Sequence, residues 1–383
     1  MAKAKAVAGV QCDTAAAVGV RVVLVSRMQE MCALRDHALN WSDPEGVHDM
    51  RVASRRLRSA LRDFMPYVRK SCLKPSLREI KDIARALGQV RDQDVAIMAL
   101  EKLKPKAPDE ITASLAQLIA TRKSILNKAR SELRRTVRKS DLRQLESDFI
   151  AAVEAATSAP DNGTQTPKNV PGVINTDYGA IARTIILERL RELEKLSSSL
   201  FRPFKVERLH RMRIAAKRLR YALELFEHCW GESLNRFSVK AAGLQSSLGE
   251  LHDSDVWIKS FGDQLTGAHK RLSKDQTEVS VWLLSHFLKV RTRHVRNALA
   301  RWHDWEATGL SSELKESVQK EPGVVVEAPV AGGATGPEKL PGQEELSGQE
   351  ELAGQEGVAK KEDLPGQEER AATPTAESAA TNI

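Results

Sequence analysis

Aromatic side chains are scarce in this chain of 383 residues, at 4%. A core has to be built from Leu, Val, Ile and Ala instead. A platform for stacking nucleobases is also missing, since Trp41, Tyr67, Tyr178 and Tyr221 are scattered. Cysteine is rare too. Cys12, Cys32, Cys72 and Cys229 are far apart with no C-x-x-C spacing, which argues against a zinc site and predicts free thiols in a reducing compartment rather than a disulfide framework. No apolar run is long enough for a transmembrane helix. Gln11, Cys12, Asp13 and Arg21 interrupt any signal-peptide core. The expected location is cytoplasmic, with no membrane partner. The chain has no P-loop, no H-E-x-x-H, no G-x-S-x-G and no carboxylate cluster suited to Mg²⁺. No catalytic residue, cofactor or metal site is therefore expected, and the protein reads as a non-enzyme. His48 and His210 are candidate ligands by residue type, but no second His, Cys or carboxylate is evident at ligand spacing beside either.

What the chain has is positive charge, unevenly spread. The net charge is +8. Residues 321–383 hold four cations against thirteen carboxylates, so the residues before them carry more than twice that net charge. A body so basic implies an anionic partner. The acidic end repeats Leu-Pro-Gly-Gln-Glu-Glu at 340–345 and 364–369 and has no aromatics. That composition predicts a disordered tail over 309–383.

The chain is also written twice. His48-Asp-Met-Arg51-Val-Ala-Ser-Arg55-Arg56-Leu-Arg58-Ser-Ala-Leu61-Arg62-Asp-Phe64 returns as His210-Arg-Met-Arg213-Ile-Ala-Ala-Lys217-Arg218-Leu-Arg220-Tyr-Ala-Leu223-Glu224-Leu-Phe226, with ten of seventeen positions identical. At the same offset of 162, Arg21 and Arg27 align with Arg183 and Arg189. At an offset of 161, Leu87-Gly88-Gln-Val-Arg91-Asp92-Gln-Asp94-Val95 aligns with Leu248-Gly249-Glu-Leu-His252-Asp253-Ser-Asp255-Val256. The repeat unit is long, unlike that of a solenoid. Only Gly19, Gly46 and Gly88 interrupt residues 14–156, and apolar residues recur at three- and four-residue spacing. The fold class is therefore all-α. Four helices are expected per unit, at about 14–40, 44–65, 73–100 and 109–155, then 176–199, 205–230, 233–265 and 274–306. The units span 13–156 and 176–308, joined by a Pro/Gly/Thr-rich linker at 157–175. Asp43-Pro44 reads as a helix start.

With about 100° of turn per residue, Arg51, Arg55, Arg58 and Arg62 lie within roughly 60° of one another, on the side of His48. Met50, Ala53, Leu57, Ala60, Leu61 and Phe64 form the opposite face. His210, Arg213, Lys217 and Arg220 repeat the stripe, while Arg56 and Arg218 share a second angle. Like charges so spaced repel by a few tenths of a kcal/mol per pair, so a bound anion is expected to offset them. Arginine forks suit phosphate oxygens, and histidine can add a donor. The Asp92/Asp94 and Asp253/Asp255 pairs are expected to hold arginines of neighbouring helices, and Gly88 and Gly249 to permit close helix approach. Arg91 and His252 are further phosphate donors by residue type.

The doubled His-x-x-Arg-(Val/Ile)-x-x-(Arg/Lys)-Arg-x-Arg motif, each copy followed by Leu-Gly-x-x-(Arg/His)-Asp-x-Asp-Val, resembles the CHAD family, the conserved histidine α-helical domain. The resemblance covers about residues 13–306. It implies two tandem four-helix bundles related by pseudo-twofold symmetry, a central basic channel, and inorganic polyphosphate as ligand. It further implies association with polyphosphate granules and their other proteins. By position the binding residues are His48, Arg51, Arg55, Arg56, Arg58, His210, Arg213, Lys217, Arg218 and Arg220, with Arg21, Arg27, Arg183 and Arg189 as a second tier. A stand-alone module is expected, without the CYTH triphosphatase domain found in some relatives. Two other readings follow from the same residues. One is a nucleic-acid binder, disfavoured by the missing aromatics. The other is an enzyme or accessory factor of polyphosphate metabolism.

Overall fold

The structure is a computed structural model, and it describes residues 7–158, 176–267 and 272–320. Among them there are helices and no strand, only an isolated bridge between Ala15 and Asp177. The first half contains α1 (Ala16–Ala33), a single turn α2 (Arg35–Ala38), α3 (Pro44–Phe64), α4 (Lys70–Leu103), α5 (Asp109–Thr136) and α6 (Lys139–Thr157). The second contains α7 (Tyr178–Glu194), α8 (Val206–Leu225), the short α9 (Glu227–Trp230), α10 (Asn235–Leu265), α11 (Lys274–Ala307) and α12 (Leu310–Gln319). In each half the second helix packs between the first and the third.

The expected long fourth helix is broken in the first half, whereas in the second α11 runs unbroken over the expected 274–306. In the first, Val137 leaves helical geometry and its carbonyl accepts from Arg35 Nε at 2.7 Å, after which α6 turns back onto α1 and α4. In the second, Gly309 takes a left-handed φ of 63° and α12 follows. This corrects the expected tail boundary. Residues 310–319 are a helix whose Leu310, Leu314 and Val318 are buried at four-residue spacing. Residues 321–383 and most of the expected linker, 159–175, lie outside the described residues.

Helix α3 begins as its sequence predicts. The Asp43 carboxylate accepts from the Glu45 amide at 2.9 Å, which satisfies one of the amides a helix start leaves unpaired. Its apolar face, Met50, Ala53, Leu57, Ala60, Leu61 and Phe64, is buried throughout. One hydrophobic core runs through both halves. At its centre Phe64 and Phe226, the last residues of the two repeated motifs, meet edge-on at 6.0 Å, and both pack on Tyr178. A side chain at Gly19 would collide with the Tyr178 ring, so glycine is needed there for α1 to pass α7. The halves meet again in a second cluster, where Leu115 and Ile119 of α5 pack with Phe261 of α10 and Leu283 and Phe287 of α11.

The expectation of four free thiols fails for two of them. Cys12 and Cys229 are joined as a disulfide, with Cα atoms 5.3 Å apart, while Cys32 and Cys72 are free. The start of α7 brings the pair together. Gly179 donates its amide to the Cys12 carbonyl at 2.8 Å, and His228 stacks on the neighbouring Tyr178 ring at 5.6 Å.

Candidate functional site: a cationic groove between two repeated helices

Because Phe64 and Phe226 meet, α3 and α8 lie side by side with their basic faces turned toward each other. Lys217 is half-buried among Arg55, Arg58 and Arg62 of α3 and Arg213 of its own helix. Burial, then these four guanidinium groups, push its ammonium down to about 7. Arg51 is pushed down to about 10, by burial first and then by Arg55, Arg91 and Arg213, with Asp92 opposing. Among the described residues, Arg55, Arg58, Arg213 and Lys217 have no Asp or Glu within 4.0 Å of their charged atoms. A cavity of about 370 Å³ opens beside them. Arg55, Arg58, Arg62, Lys81 and Lys217 line it together with Tyr221, Leu61, Leu77 and Met65. Such a concentration of unpaired cations destabilises the empty fold and raises its affinity for a multivalent anion.

The histidines stand at the motif starts. His210 Nδ1 lies 3.2 Å from His252 Nδ1, with ring centroids 4.3 Å apart. His48 has Arg91 in the corresponding place, and burial followed by Arg91 lowers its affinity for a proton. His48 also has carboxylates near it. Glu45 and Asp49 bring their oxygens within 4.8 Å of its ring nitrogen, against the expectation that no such group is close. Both belong to the first turns of α3, and Glu45 is exposed.

The remaining sequence candidates are held by protein partners. Arg27 Nη1 meets Glu30 at 2.7 Å and Arg56 Nη1 meets Glu30 at 3.5 Å. In the second half Arg189 Nη1 meets Glu192 at 2.6 Å and Arg218 Nη1 meets Glu192 at 3.3 Å. Arg189 also pairs with Asp63, which is 1% exposed, through Nη2 at 2.9 Å and Nε at 3.0 Å. Arg220 is buried against Glu224 at 2.6 Å and Gln245 at 3.2 Å. Arg21 Nε donates to Thr157 Oγ1 at 3.0 Å and Arg183 Nε to the Val318 carbonyl at 2.7 Å, so each ties down the end of the last helix of its half. Seven candidates thus have partners within the protein, Arg21, Arg27, Arg56, Arg183, Arg189, Arg218 and Arg220, as Arg51 has in Asp92. The groove itself gathers Arg51, Arg55, Arg58, Arg213 and Lys217, with His48 and His210 at the motif starts.

One groove residue was missed: Lys81 lies on α4, where the repeat has Ala242, so a search guided by duplication passes over it. Arg62, already on the stripe though its counterpart is Glu224, lines the same cavity. Three of the four aspartates do what was expected: Asp92 holds Arg51 at 3.1 Å, Asp94 faces Arg130 at 3.7 Å and Asp255 holds Arg291 at 2.5 Å. The glycines do not. A Cβ at Gly88 would meet nothing within 4 Å, and one at Gly249 only Arg213 Nε at 3.8 Å, so neither serves close helix packing.

Residues 24–262 match the family model described as the CHAD domain. The chain belongs to the CHAD family. Among curated proteins it is 26% identical over 241 residues to the uncharacterized proteins MT2285 and Rv2226 of Mycobacterium tuberculosis. The match takes in 61% of this chain and 43% of each relative, so the chain spans less than half of their length. Among solved structures, the CHAD domain from the plant Ricinus communis superposes with a TM-score of 0.60 at 21% identity, over 79% of this chain and 96% of that one. PptA from Streptomyces chartreusis gives 0.53 at 11% identity, over 76% and 100%. At those identities the likeness is one of fold. Among the described residues no helix is long and apolar enough to cross a membrane.

Proposed function

We propose that this CHAD protein binds inorganic polyphosphate without altering it, in a basic channel between two four-helix bundles related by a pseudo-twofold axis. The observation that carries this reading is the meeting of α3 and α8 around Lys217, with no carboxylate paired to the central cations. The equivalent residues Phe64 and Phe226 meet across that line, which supports an axis running between the two helices. A polymer of identical phosphates presents charge at every step and asks for no base readout. The groove offers cations from several helices, with Tyr221 as the single aromatic among the residues lining the cavity, too few to stack successive bases. Binding in the cytoplasm, at polyphosphate granules and beside their other proteins, belongs to the same proposal.

The test is titration with polyphosphates of defined length. With about six phosphate contacts, affinity should fall on the order of 1,000-fold between 50 and 200 mM salt. Displacement of bound polyphosphate by single-stranded DNA of equal charge would favour a nucleic-acid binder. Sustained phosphate release with Mg²⁺, lost in His48→Ala, would replace the binder with an enzyme.

A further inference from the structure

We propose that the second half makes the grip proton-dependent: a polyphosphate chain entering the groove recharges Lys217, His210 and His252, and is bound together with protons. The proposal rests on the polyphosphate reading and concerns how that site is regulated.

The two copies differ in kind where they border the groove. Arg55 of the first is answered by Lys217 in the second, and Arg91 by His252. Guanidinium groups stay charged at any physiological pH, whereas lysine and histidine can give up their protons when crowded. The second copy is crowded. Lys217 faces Arg55, Arg58 and Arg62 from α3 and Arg213 from α8, and Lys81 of α4 lines the same cavity. His210 and His252 touch through their Nδ1 atoms, an arrangement in which one nitrogen donates and the other must hold a lone pair. Both rings therefore cannot be fully protonated in this geometry. Arg213 and Lys217 press on His210 from α8. Arg213 also presses on His252, while Asp253 and Asp255 on α10 pull the other way. For both rings burial is the first cause, and both lie below the ordinary histidine value. Lys217 sits at about 7.

Phosphate oxygens reverse each of these terms. They bring negative charge to Lys217 and acceptors that let both imidazoles act as donors. A group whose proton affinity rises on binding takes up a proton at every pH between its free and bound values. Affinity should then fall as pH climbs above about 7, the free value of Lys217.

The experiment is calorimetric titration of the full chain with long-chain polyphosphate at pH 7.5, in two buffers of different ionisation enthalpy, with affinities followed from pH 6.5 to 9. Interior phosphates of such a polymer stay ionised, so proton uptake reports on the protein. The wild type is expected to take up about one proton or more per bound chain and to weaken several-fold from pH 7 to 9. The Lys217→Arg/His252→Arg double variant, which writes the first half's residues into the second, should take up less than half as many. It should also bind more tightly than wild type at pH 9. If the double variant does not fold by circular dichroism, Lys217→Arg alone is read the same way. Equal heats in both buffers, or full uptake retained by the variant, overturn the inference while leaving polyphosphate binding standing. No binding at low salt in any buffer overturns both.

Discussion

The two halves share a motif and a helix order but spend their charges differently. The first half lines the groove with Arg51, Arg55, Arg58 and Arg62, and adds Lys81 from α4. In the second the stripe stops early, because Arg220 is buried on Glu224 where the first half has Arg58 and Arg62. The reverse holds deeper in. Asp63 lies under the first motif and anchors Arg189 across the halves, while its counterpart is the apolar Leu225. A duplicated helix can thus keep its shape while one copy specialises in binding and the other in being held. The ligand needs charge only on the side it touches, and the core needs each buried charge to be answered.

The largest effect should come from the buried tie. Arg189→Met leaves Asp63 with only Arg62 Nε, at 3.8 Å, among the described residues. Breaking a buried pair from one side costs about 3–5 kcal/mol. Urea unfolding should register a loss of that order. The Asp63→Leu/Arg189→Met double variant copies Leu225 into the first half and should regain most of it, since a buried pair replaced by apolar groups is often neutral. If the double variant is no better than the single, the pair contributes something that packing cannot replace.

Next comes Lys217 in the ligand-free protein. Its folded value of about 7 is below the 10.5 of an unfolded lysine. The penalty for charging it is therefore full below pH 7 and fades as pH rises through 10.5, so stability should climb over that window. Lys217→Met should flatten the climb and add on the order of 1 kcal/mol at pH 7, discounted for the group's partial exposure, while weakening polyphosphate binding. Melting temperatures of both proteins at pH 7, 8 and 9.5 check this. Parallel curves would mean that Lys217 keeps its proton in the fold.

How far the sequence carries this picture depends on the range of each interaction. The α3 stripe and its apolar face follow from 100° of turn per residue, and Asp92 reaches Arg51 within one helix pair, so these were legible. Sorting cations into free and held was not. Arg189 finds Asp63 126 residues away, Arg183 finds Val318 at 135 and Arg21 finds Thr157 at 136. Cys12 and Cys229 are separated by 217 residues. Helix α12 was hidden for another reason: three apolar residues at four-residue spacing were averaged into an acidic tail.

The smallest effect concerns Gly88 and Gly249, interior residues of α4 and α10; a Cβ would meet open space at Gly88 and only Arg213 Nε, at 3.8 Å, at Gly249. Glycine inside a helix costs about 0.8–1 kcal/mol relative to alanine, so Gly88→Ala should stabilise the fold by up to that amount, and Gly249→Ala by slightly less because its Cβ touches Arg213. A position that gives up stability in both copies, one turn before Asp92 and Asp253, suits a wall kept thin for a ligand. On that account Gly88→Ala raises the melting temperature while weakening polyphosphate binding a few-fold. A variant that melts higher and binds as well would show that the open space beside α4 lies off the ligand's path, and would confine the polymer to the α3–α8 side of the groove.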